Sequence, residues 1–140
     1  MIIAVDFDGT IVEHEYPRIG RERPFAAATL RQLKADGHVL ILWTYREGPL
    51  LQEAVDWCRE HGIEFHCINS DDPLATGATG PRKVNADLYI DDRNVGGLPD
   101  WGAIYKMISN RWSSRRYISE LHRDHQPEPK RGFFSRLFGK

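Results

Sequence analysis

The chain has 140 residues, 41% of them hydrophobic and 28% charged, which suits one ordinary core inside a soluble surface. No stretch approaches the roughly 20 apolar residues of a membrane span, and the first apolar run stops at Val5 without a basic leader, so a cytoplasmic protein is expected. The net charge of −1 conceals an asymmetry: residues 1–105 hold 10 basic and 17 acidic side chains, residues 106–140 hold 9 basic and 3 acidic, an acidic body with a basic tail.

Met1–Val5, Val39–Trp43, Phe65–Ile68 and Leu88–Ile90 are continuous apolar runs rather than alternating ones, as expected of strands covered on both faces of a parallel sheet. Between the first two, Pro24 opens a helical pattern through Leu30 and Leu33 that stops at Gly37. Between the second and third, Leu50, Leu51, Ala54, Val55 and Cys58 form one stripe that stops at Gly62. After the fourth, Asp100 caps a pattern of Trp101, Ile104, Tyr105, Ile108 and Trp112. The order predicts an α/β fold with a parallel sheet. Cys58 and Cys67 are read as packing residues and not as a disulfide.

In an open parallel sheet the ligand site lies beyond the carboxyl ends of the strands. Asp6-Phe7-Asp8-Gly9-Thr10 ends the first run, Thr44 the second and Asp91-Asp92 the fourth, while Lys83 precedes the fourth. Hydrolysis of a phosphate ester needs a nucleophile, a proton donor for the leaving oxygen and positive charge between two anions. Asp6 and Asp8 meet the first two needs, Thr44 and Lys83 can hold phosphoryl oxygens, and Gly9 lets the backbone turn close to the phosphate. So many carboxylates would repel a phosphate unless a hard cation sat among them, which makes magnesium the expected cofactor. Arg46, two residues past Thr44, is placed to reach the substrate's phosphate or leaving group, with a surface ion pair as the even alternative. His14, in the short flap of residues 11–23, is read as solvated.

These segments, VDFDGT at 5–10, LILWT at 40–44, Lys83 and YIDD at 89–92, resemble the four motifs of the haloacid-dehalogenase-like (HAD) superfamily over about residues 1–110. The resemblance is closest to small capless bacterial hydrolases of that group. It implies a three-layer α/β/α sandwich and a phosphatase in which Asp6 forms a phosphoaspartyl intermediate and Asp8 is general acid and base. It also implies magnesium on Asp6, the Asp8 backbone carbonyl and Asp92, with Asp91 acting through water or by orienting Lys83. Asp8 sets the chain apart from the dehalogenases of the superfamily, which lack a second acid there. Two other classes stand beside this reading: a catalytically silent HAD-fold module that binds phosphate or a partner, and a receiver-like phosphoacceptor, which the motif order argues against.

Capless relatives take macromolecular phosphoesters, or small ones when a second subunit supplies the lid; the two alternatives, the second implying a homodimer, stay open. The chain is divided into a catalytic domain at 1–122, a linker at 123–132 containing Pro127 and Pro129, and a basic amphipathic tail at 133–140. A helix so short is marginal in water, so disorder or docking on its own domain is preferred for the tail, with weak contact to an anionic membrane surface as the alternative. No nucleic-acid recognition motif accompanies the basic residues.

Overall fold

Strand β1 (Ile2–Val5) lies between β2 (Val39–Leu42) and β4 (Leu88–Ile90), and β3 (Cys67–Ile68) flanks β2, giving one sheet in the order β3-β2-β1-β4 with every pairing parallel. The computed structural model describes residues 1–74 and 83–110. The fold is therefore α/β, as the unbroken apolar runs predict. β1 is paired on both sides, and Ile3, Ala4 and Val5 are all buried although their side chains alternate in direction, so both faces of the strand are covered.

Register separates the two faces. Ala4 stands opposite Ile41 and Tyr89, and Ile41 opposite Cys67; Ala4, Ile41 and Cys67 form one cluster with Val84, against which Trp43, Ala86 and Tyr89 pack. Ile3, Val5, Leu40 and Leu42 alternate with these residues and are buried on the other face. Both cysteines are free and buried, in keeping with a packing role. β3 has two residues where four were expected, because only Cys67 and Ile68 find register partners on β2.

Helix α1 (Ala26–Ala35) follows β1 and lies beside β2. It begins two residues after Pro24: Phe25 takes a left-handed conformation at φ 67, and the Glu22 carboxylate accepts the Ala27 N–H at 2.9 Å, satisfying one donor of the first turn. Helix α2 (Gly48–Glu60) starts two residues earlier than the Leu50 stripe suggests, with Pro49 in its first turn, where no N–H is missed. Trp57 on α2 meets Phe7 edge to face at 5.7 Å, tying α2 to the end of β1. Helix α3 (Trp101–Ser109) has the expected cap, the Asp100 carboxylate accepting the Ala103 N–H at 2.9 Å.

The chain divides into two compact units, Met1–Tyr105 and Lys106–Lys140. The first carries the sheet and every residue expected at the site. The predicted linker and tail, at 123–132 and 133–140, lie outside the described residues, as does Trp112. Among the described residues no helix is long and apolar enough to cross a membrane.

Candidate functional site

The carboxyl end of β1 turns sharply at Gly9, whose φ of 84 suits a residue without Cβ. A Cβ there would fall 2.3 Å from Asp92 Oδ2, so the turn brings β1 and the segment after β4 into direct contact. Thr10 fastens that contact. Its hydroxyl donates to Asp6 Oδ2 at 3.1 Å and accepts the Asp92 N–H at 3.0 Å, while its carbonyl accepts the Trp101 indole N–H at 3.1 Å. Thr10, fully buried, links Asp6, Asp92 and α3.

Asp6, Asp91 and Asp92 each direct a carboxylate oxygen into one small region, all within 4.8 Å of one another. Asp92 Oδ1 is buried and has no hydrogen-bond partner. Burial, and after it the nearby Asp91 and Asp92 charges, push the Asp6 carboxyl up to about 7, against bonds from the Phe7 backbone and Thr10 that lower it. Three crowded carboxylates with an orphaned buried oxygen form a site that a hard cation suits, because a cation would satisfy that oxygen and relieve the repulsion. The Asp8 carboxylate is not in this group, so only its backbone carbonyl is left to serve as a ligand.

Of the two alternatives for Arg46 the ion pair is the one formed, inside the protein and not at its surface. Its side chain is 1% exposed, does not line the cleft and grips Asp8 as a bidentate fork, Nε to Oδ2 at 2.7 Å and Nη2 to Oδ1 at 2.8 Å. The remaining donors go to the carbonyls of Pro17 at 3.0 Å, Arg18 at 2.9 Å and Leu50 at 3.4 Å. All five N–H groups of the guanidinium are thus used within the protein, leaving none for a substrate phosphate in this state. The hydrogen bonds that Arg46 donates to Asp8 raise the Arg46 pKa above its ordinary value. Arg46 positions Asp8, itself 9% exposed, and anchors the flap. That flap is also closed at its base, where the Glu13 N–H donates to Arg21 O and the Arg23 N–H to Ile11 O.

Thr44 stands where strand-end reasoning places it, beside the cleft. Its N–H donates to Asn69 Oδ1 at 2.8 Å, and its hydroxyl oxygen accepts the Arg46 N–H at 3.2 Å, which leaves the hydroxyl proton for a ligand. Asn69 sits at the end of β3 with φ 51, a conformation that asparagine tolerates, and braces the Thr44 turn. Lys83 is not brought to the cleft. It is exposed, with Nζ 4.9 Å from the centre of the Tyr89 ring, whose residue faces the Ala4 side of the sheet. Arg93 lines the cleft instead.

The cleft has a volume of about 420 Å³ and is lined by Asp6, Asp8, Asp91, Thr44 and Arg93 together with His14, Tyr16, Trp43 and Tyr45. A larger hollow of about 650 Å³ opens beside the start of β2, but its Lys34 is paired with Glu64 and its Arg59 with Asp56. The carboxylate group therefore marks the site better than volume does.

Replacing Gly9 by alanine is expected to push Asp92 away and lower the unfolding free energy by about 2 kcal/mol, from left-handed strain and the clash together. Urea unfolding with and without magnesium checks it: the variant should unfold at lower urea and lose any magnesium-dependent rise in midpoint.

Sequence reasoning missed Thr10, Asn69 and Trp101 as supports of the site. Asn69 follows an apolar run as Thr44 does, so the strand-end rule would have found it; Thr10 stood inside a recognised motif without an assigned role. Nothing local signals the indole bond across 91 residues.

A solved structure of a conserved protein from Bacteroides thetaiotaomicron is similar to this chain, with 59% identity, a TM-score of 0.76, and an alignment covering 81% of this chain and 93% of that one. No protein-family model matches the chain, and no curated protein does.

Proposed function

We propose that this chain, which belongs to the same family as the conserved Bacteroides thetaiotaomicron protein, is a magnesium-dependent phosphomonoester hydrolase of HAD type with the three-layer sandwich of that superfamily. The observation that carries the reading is the grouping of Asp6, Asp91 and Asp92 around the orphaned Asp92 Oδ1, next to a Thr44 hydroxyl with a proton to give. In this reading Asp6, the Asp8 carbonyl and Asp92 would hold magnesium, with Asp91 beside them. An ion held there would neutralise the carboxylates and draw charge from the phosphoryl oxygens.

Asp6 attacks phosphorus, the bond to the leaving oxygen breaks, and Asp8 gives that oxygen a proton. Asp8 then takes a proton from the water that attacks the acyl phosphate, returning Asp6 and releasing phosphate. The acid step requires the Asp8 carboxylate to leave the Arg46 fork, take up a proton from water or from the substrate's monoanion, and turn into the cleft. Thr44 holds a phosphoryl oxygen, and Lys83 joins it after leaving Tyr89.

The same two facts, Asp8 held by Arg46 and Lys83 standing over Tyr89, favour a second reading, a catalytically silent module that binds phosphate or a partner. The test is phosphate release with magnesium from sugar phosphates, nucleotides, phosphopeptides and phosphorylated oligonucleotides, with Asp6→Asn as background. The hydrolase reading expects release that needs both magnesium and Asp6. Release unchanged in Asp6→Asn would remove the nucleophile, and no release from folded, magnesium-bound protein would leave the binding module.

A further inference from the structure

The rim of the cleft is aromatic in a way that neither the fold nor the hydrolytic groups require. Tyr45 follows Thr44 directly and is 88% exposed, so its ring adds almost nothing to the core. Tyr16, on the flap and 42% exposed, meets it with ring centres 6.1 Å apart at 68°. Both rings stand on braced backbone. The Tyr45 turn is held on one side by Thr44 N–H to Asn69 and on the other by Arg46 N–H to Thr44. Tyr16 lies 5.3 Å from the Arg46 guanidinium carbon, and Arg46 also holds the carbonyls of the next two residues, Pro17 and Arg18. Trp43, packed on Tyr89 at 5.3 Å, completes the aromatic lining. Rings carried on backbone braced in advance offer contact area at a reduced cost in conformational entropy.

The polar lining separates two kinds of leaving group. A polyhydroxylated one is held chiefly by hydrogen bonds, for which amides and spare carboxylates are well suited; besides the Thr44 and tyrosine hydroxyls the lining offers His14 and Arg93. Among the described residues, no Asn, Gln or Ser lines the cleft, Asp6 and Asp91 belong to the carboxylate group, and Asp8 is held by Arg46. A flat ring needs only aromatic faces.

We propose that Tyr16 and Tyr45 form a subsite for a flat ring in the leaving group, so that the site takes nucleotide-type phosphomonoesters; this rests on the hydrolase reading for the placement of the phosphate. Adenosine 5′-monophosphate and ribose 5-phosphate share the same ester oxygen and differ in the base, which makes them the probes. Calorimetric titration of the Asp6→Asn variant with magnesium should show the nucleotide binding about tenfold more tightly, within the range that a base stacked on an aromatic side chain gives. Tyr45→Ala in that background should bring the two affinities together, and Tyr45→Phe should keep them apart. Equal binding of the two probes, or an undiminished preference in Tyr45→Ala, overturns the subsite. Turnover of acetyl phosphate by the unmodified chain, which has no ring to place, reports separately on the hydrolase reading.

Discussion

Replacing Arg46 by methionine is expected to lower the unfolding free energy by about 3–5 kcal/mol, because it leaves the Asp8 carboxylate buried without its partner. The flap and the start of α2 lose their anchors in the same change, since the Pro17, Arg18 and Leu50 carbonyls all accept from Arg46. Lysine is a poor substitute. One ammonium with three donors cannot form a planar fork on Asp8 and reach three further carbonyls, so Arg46→Lys should recover only part of the loss. The double variant Arg46→Met with Asp8→Asn separates the causes: with the charge removed, it should be more stable than Arg46→Met alone. Urea unfolding of the four proteins decides it. A double variant no more stable than Arg46→Met would mean that the flap anchors, and not the stranded carboxylate, carry the effect.

The second large effect is a pH dependence specific to Asp6. Its carboxyl is pushed to about 7 in the folded chain from the usual 3.8, chiefly by burial. The folded chain thus holds this proton more tightly than the unfolded chain does. Below 3.8 both states are protonated and the site costs nothing. As pH rises from there towards 7 the unfolded chain releases the proton first, and folding loses stability until both forms are ionised. The gap corresponds to on the order of 4 kcal/mol, lost by pH 8 in the metal-free protein. Other carboxylates have their own pH dependence, so the readout is the difference between the unmodified chain and Asp6→Asn. The variant should be the more stable of the two at pH 8 without metal, and the difference should shrink towards pH 4. Magnesium should stabilise the unmodified chain more at pH 8 than at pH 5, by satisfying carboxylates that are ionised only at the higher pH. A difference that does not change with pH would mean that Asp6 is not held in the crowded, desolvated position described above.

Both effects arise from contacts of very different legibility. Asp6, Thr44 and Asp91 were found from sequence because each follows a short apolar run, and a parallel sheet gathers the carboxyl ends of its strands at one edge whatever the connecting loops do. Asp100 was legible as a cap because capping is settled within one turn of helix. Arg46 was not, since its position two residues after Thr44 says that it lies near the cleft but not which way it points. The fork on Asp8 spans 38 residues and depends on the path of the flap, whose carbonyls supply two of its other acceptors.

What the amino-acid sequence determined by itself is the α/β class, the four parallel strands and the strand ends from which the site is built, because apolar periodicity, turn residues and caps act over a few positions at a time. The tertiary structure alone decided that Asp8 is held by Arg46, that Lys83 stands over Tyr89, and that Asp92 presents a buried oxygen without a partner beside Asp6. Those outcomes depend on register between β1 and β4, on the close approach at Gly9 and on the fold of the flap. Charged and hydrogen-bonding groups far apart in the chain find partners only after packing has set their distances, and no local pattern encodes those distances.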